Sequence, residues 1–149
     1  MVSHVDRFVI NAALSPVAAC VALRLSLGEV LVVNLTNGGE LWRAQRSTFR
    51  GRPITYSPDG RLLVTTGSHG DGAGTIILWN AMCGSMLREL RGHDAPVTEL
   101  VFSKDGLLYS TDMHGVVRSW NLQRQCESWS VPRHLINRSH GVRCARREK

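Results

Sequence analysis

Apolar residues in this chain come in short runs broken by glycine-rich turns, and no segment settles into the spacing of an amphipathic helix. Ile54-Thr55-Tyr56 meets the turn Ser57-Pro58-Asp59-Gly60, then Leu62 to Thr66, then Thr75-Ile76-Ile77-Leu78-Trp79-Asn80. The same order returns downstream: Val97, Leu100 and Phe102 precede Ser103-Lys104-Asp105-Gly106, followed by Leu107 to Ser110 and Val116-Val117-Arg118-Ser119-Trp120-Asn121. β-Branched residues fill the runs and glycine sits where the chain must turn, so the pattern predicts antiparallel strands joined by tight connections, an all-β meander.

A third copy lies upstream. Val9, Ala12 and Leu14 lead to Ser15-Pro16, an apolar run from Val17 to Leu25, a turn at Gly28-Glu29 and the strand Val30 to Asn34. Asn34, Asn80 and Asn121 share one slot, and each is followed by a further short strand: Gly39 to Trp42, Gly84 to Leu90, and Gln125 to Trp129. The spacing divides the chain into a degenerate unit at 3–45, two clearer units at 46–90 and 91–130, and a remainder at 131–149.

The Gly92-His93 opening, the Trp-Asn close and a period of about 40–45 residues resemble the WD-repeat family, in which each repeat builds one four-stranded blade of a β-propeller. The resemblance implies a partial β-propeller of three antiparallel blades; residues 131–149, with no strand pattern and few apolar residues, are expected to form a disordered basic tail. It further implies a non-catalytic protein-interaction scaffold, intracellular, cytoplasmic or nuclear, with no cofactor. Propellers of this kind close with about four to eight blades, so three leave the ring open. The expectation is a fragment or short form of a larger propeller protein; the alternative is a regulatory short form that cannot fold alone and completes or competes with another propeller. The partners implied are other proteins.

Charge refines this picture. The 149 residues carry a formal net charge of +6. Residues 1–130 hold 12 Lys and Arg against 11 Asp and Glu, whereas residues 131–149 hold six against Glu148 alone. The blades are nearly neutral, and the basic residues of the tail are spaced and lack an aromatic platform, which argues against a nucleic-acid surface. Arg24 and Glu29 interrupt the apolar stretches, so none reaches the roughly 18 residues of a membrane span. Val17-Ala18-Ala19-Cys20 resembles a lipoprotein cleavage site behind Arg7, but Asp6, Asn11 and Ser15-Pro16 disrupt such a leader.

Candidate chemistry is sparse. Cys20, Cys83, Cys126 and Cys144 have no paired spacing, and Cys126, His134, His140 and Cys144 match no common zinc pattern, so no metal is expected. The family resemblance implies that His93, Ser110 and Trp120 form a hydrogen-bonded structural tetrad, with His114 in the place of its usual Asp; Thr65 and Trp79 are the counterparts in the middle repeat. Nothing from Ser47 to Gly51 supplies that repeat with its turn histidine. The first repeat has Val33 for the tryptophan, with His4 a candidate turn residue. That tetrad accounts for the residues a hydrolase would need. Gly67 to Gly74 enlarges one turn, but Thr75 begins a strand and no lysine follows, so it is not a phosphate loop. The candidate partner-binding residues are Arg61, His69, Asp71, Arg91, Asp94 and His114.

Overall fold

The computed structural model describes residues 7–45, 51–68 and 73–122, and the backbone of 126–131. Twelve strands form three four-stranded antiparallel sheets, each a simple meander. The first blade holds β1 (Val9–Leu14), β2 (Cys20–Leu25), β3 (Glu29–Asn34) and β4 (Glu40–Gln45). The second holds β5 (Ile54–Tyr56), β6 (Leu62–Ser68), β7 (Gly74–Asn80) and β8 (Met86–Arg91). The third holds β9 (Val97–Phe102), β10 (Leu108–Asp112), β11 (Val117–Asn121) and β12 (Cys126–Val131). β12 thus runs past Trp129, where the sequence pattern stops. His4, the segment 46–50, His69, Asp71 and the basic tail beyond Val131 lie outside the described residues.

Local chemistry fixes the turns. In the β5–β6 turn the Ser57 hydroxyl accepts from the Leu62 amide at 3.0 Å and donates to Asp59 Oδ1 at 2.6 Å, while Gly60 takes φ 70°. Ser103 and Gly106 repeat the device between β9 and β10. The shared asparagine slot has an equally physical reason. Asn34 Oδ1 accepts from the Thr36 amide at 2.7 Å and Asn80 Oδ1 from the Met82 amide at 2.9 Å, so each side chain templates the turn that reverses the chain into the outer strand.

Period-two alternation gives every blade two faces, and the blades stack face to face. One core layer joins Ala22, Val30, Val32 and Trp42 of the first blade to Ile54, Tyr56, Leu63, Ile77 and Trp79 of the second. The other joins Val64, Ile76, Leu78 and Leu90 of the second to Val97, Leu108 and Trp120 of the third. Each internal seam therefore brings the trailing face of one blade onto the leading face of the next.

The first seam is also pinned by polar contacts. Trp42 Nε1 donates to the Ala81 carbonyl at 2.9 Å, and its ring covers Gly84, where a Cβ would overlap it. Arg24, fully buried, donates from Nε to the Gly51 carbonyl and from Nη2 to the Thr66 carbonyl, both at 3.2 Å. Burial pulls its guanidinium down to about 10.

Candidate interaction surface and polar network

The third blade is closed by four side chains in series. Trp120 Nε1 can only donate, and it does so to Ser110 Oγ at 2.8 Å. The serine hydroxyl then donates to His93 Nε2 at 2.6 Å, and His93 Nδ1–H donates to Asp112 Oδ2 at 2.7 Å. All four residues are buried, and the His93 and Trp120 rings tilt against each other with centroids 6.2 Å apart. His93 precedes the strands, yet it bridges residues on β10 because Ser110 and Asp112 are two apart and share one face.

The carboxylate of this network is Asp112 and not His114, contrary to the sequence expectation. Asp112 Oδ1 also accepts from the backbone amides of His114 and Val116, both at 3.0 Å, so one carboxylate closes the β10–β11 turn with one oxygen and orients His93 with the other. His114 rides in that turn and is exposed. A neutral imidazole offers a single acceptor and could not hold both. Burial opposes the charge on Asp112, but these donors outweigh it and hold the carboxyl below the usual aspartate range. Burial likewise lowers the His93 pKa, against the pull of Asp112, so the imidazole stays neutral near pH 7.

In the middle blade Trp79 Nε1 donates to Thr65 Oγ1 at 2.8 Å. In the first blade the strand registers place Leu23 where the others have Thr65 and Ser110, and Val33 where they have the tryptophans. Both polar positions have become apolar there.

The candidate contact residues divide between two ends of the sheets. Arg61 lies in the β5–β6 turn, where its carbonyl accepts from the Ala81 amide of the β7–β8 turn. Arg91 ends β8 at the opposite end of that sheet, paired with Thr75. Asp94 follows in the blade connection. The β10–β11 turn that carries His114 joins them, since the Met113 amide donates to the Pro96 carbonyl at 3.0 Å. Arg91, Asp94 and His114 are all exposed at this one end. His69 and Asp71 fall outside the described residues.

Two grooves open on the innermost strands. One of about 400 Å³ runs between β1, β5 and β9 and is lined by Asn11, Arg52, Ile54, Thr98, Glu99 and Val101. Another of about 450 Å³ is lined by Thr98, Glu99, Thr111, Asp112, Met113 and Val117. Sequence reasoning named none of Arg52, Thr98 or Glu99, because only the approach of inner strands from successive blades gathers them. Asp112 was legible in principle from its two-residue spacing after Ser110. Among the described residues no cluster of three His, Cys, Asp or Glu side chains could hold a metal ion. No helix there is long and apolar enough to cross a membrane.

The family model "WD domain, G-beta repeat" matches residues 84–121, from the end of the second blade through Trp120. Over this span the chain is similar to a WD repeat. It is 32% identical over 99 residues to "Periodic tryptophan protein 2" of Arabidopsis thaliana, covering 66% of this chain and 11% of that protein. It is 33% identical over 78 residues to the human "Angio-associated migratory cell protein", covering 52% of this chain and 17% of that protein. Among solved structures, that titled "Structure of U3-55K" superposes with a TM-score of 0.73 at 17% identity, covering 87% of this chain and 43% of that one. The chain thus spans less than a fifth of the curated relatives it matches and less than half of the matched structure.

Proposed function

We propose that this chain is a non-catalytic, intracellular protein-interaction scaffold and a fragment or short form of a larger propeller protein. The observation that carries the reading is the use of every side chain that catalysis would need. His93 spends one ring nitrogen on Asp112 and the other on Ser110, the Ser110 oxygen accepts from Trp120, and all four residues are buried, so the group resembling a triad is an internal brace.

The surface proposed for partners is the end of the sheets bearing Arg91, Asp94 and His114, together with the adjoining groove of Asn11, Arg52, Thr98 and Glu99. Its mixed charges suit a polar, extended protein segment better than a polyanion. Affinity capture with the 149-residue chain, read by mass spectrometry, tests this. Proteins held by the wild type are expected to be lost from an Arg91→Glu/Asp94→Lys/His114→Glu variant and kept by Arg61→Glu at the opposite end. Retention by the triple variant and loss from Arg61→Glu would move the site to the other end.

The alternative, a short form that completes or competes with another propeller, is favoured by one observation: the leading face of the first blade is apolar and partly exposed.

A further inference from the structure

The two internal seams define what each blade face requires, and the outer faces can be judged by that standard. On the leading face the second blade presents Ile54, Tyr56, Leu63, Thr65, Ile77 and Trp79, all buried against the first. The registers put Ala12, Leu14, Val21, Leu23, Leu31 and Val33 at the same positions of the first blade. Six of six are apolar. Ala12 and Leu14 are exposed, Leu14 by 69%, and the other four are partly exposed. A trailing face is also left over. Ala22 and Val30 of the first blade, and Val64 and Ile76 of the second, are fully buried. Their counterparts on the third blade, Tyr109 and Val117, are partly exposed, and neighbouring Val101 is 61% exposed.

Resting on the reading of the chain as an incomplete ring, we propose that two copies associate head to tail, the leading face of each first blade packing on the trailing face of the other copy's third blade. The occupant is a second copy because one chain carries both a leading and a trailing face, the two kinds that meet in each internal seam, and each lacks its mate among the described residues. The loss of the polar pair from the first blade fits the same assignment. With Leu23 and Val33 replacing hydroxyl and indole, that face holds no hydrogen-bonding side chain that would need a turn histidine, so a foreign blade can cover it without leaving a buried polar group unpaired. The fold has room for this: one chain fills 43% of the matched solved structure. Head-to-tail contacts that close yield a finite ring in place of a fibre.

Light scattering after size exclusion tests the proposal on the 149-residue chain and two single variants, Leu23→Lys on the leading face and Val117→Lys on the trailing face. The wild type is expected at twice the 16.5 kDa chain mass. Each variant alone should fall to monomer with its circular dichroism retained, and an equimolar mixture should recover a one-to-one dimer, since it holds one sound seam. A folded monomeric wild type overturns the dimer while leaving the scaffold reading intact, as rim-dependent capture would still be seen. A Val117→Lys variant that stays dimeric overturns the head-to-tail arrangement, and an unfolded wild type overturns the proposal together with the autonomous scaffold. If either lysine variant fails to fold, Val21→Cys/Val117→Cys replaces it: oxidation should give a cross-linked dimer, and absence of the cross-link counts against the seam.

Discussion

The third blade and the first are built on the same meander, yet one is braced by a tryptophan–serine–histidine–aspartate chain and the other has apolar residues at the matching strand positions. In the third, Trp120, Ser110, His93 and Asp112 hand hydrogen bonds from strand to strand to turn. In the first, Leu23 and Val33 occupy the equivalent positions and the face they share is left partly exposed. The network is therefore not what makes four strands form a sheet; backbone pairing and turn chemistry do that in both. It couples a blade to the connection that precedes it, fixing the position of the β8–β9 segment and so of Arg91 and Asp94. A blade without it keeps its sheet, and its leading face becomes free to be apolar.

The sharpest way to break the third blade is Trp120→Ala. It removes a buried aromatic and the donor that orders Ser110, and should cost about 3–5 kcal/mol in urea-induced unfolding. Leu63→Ala and Leu23→Ala compare the same substitution on the leading faces of two blades. The fully buried Leu63 should lose about 2–5 kcal/mol, and the partly exposed Leu23 distinctly less in the isolated chain. Asp112→Ala leaves His93 and two turn amides without their acceptor and should cost about 1–3 kcal/mol.

Acid should weaken the brace of the third blade. The folded His93 pKa lies below its ordinary value of 6.5, so the unfolded chain takes up the proton first. The contribution of neutral His93 is then complete above that value and is lost as pH falls below it toward the folded pKa. The depressed Asp112 carboxyl adds a loss of the same sign below about pH 4. Unfolding midpoints at pH 7 and pH 5 should differ for the wild type, and the difference should shrink in His93→Gln; an equal difference in the variant would assign the acid sensitivity elsewhere. The smallest effect is expected from His114→Ala, within about 0.5 kcal/mol, since its side chain is exposed and Asp112 does the work once assigned to it. A loss as large as that of Asp112→Ala would restore His114 to the network.

Much of the architecture was legible in the sequence because its signals are local. Ser-Pro-Asp-Gly and Ser-Lys-Asp-Gly specify turns through a side chain and a glycine within four residues, and Asn34 and Asn80 template theirs over a similar distance. The pairing of Trp120 with Ser110 and His93 was legible through the family resemblance. Asp112 was missed because the resemblance placed the acidic residue in the turn, where His114 stands, whereas strand alternation makes the last residue of β10 the one that faces the histidine.

Other features could not be read along the chain at all. Arg24 interrupts an apolar run and looks like a surface break, yet it is buried because carbonyls of Gly51 and Thr66, from the next blade, receive it. Glu29 is buried as well, held by Arg7 and Arg43 from the segment before β1 and from β4. Arg61 and Arg91 read as equivalent rim cations, and only the direction of the strands puts them at opposite ends. The sequence by itself determined the strands, their turns and the repeat, since each is decided by the conformational preferences of a few neighbouring residues. The tertiary structure decided which polar groups are buried with partners, which end of the sheets each loop decorates and which apolar faces are left partly exposed, because those depend on contacts between segments that the period of the repeat brings together from about forty residues apart.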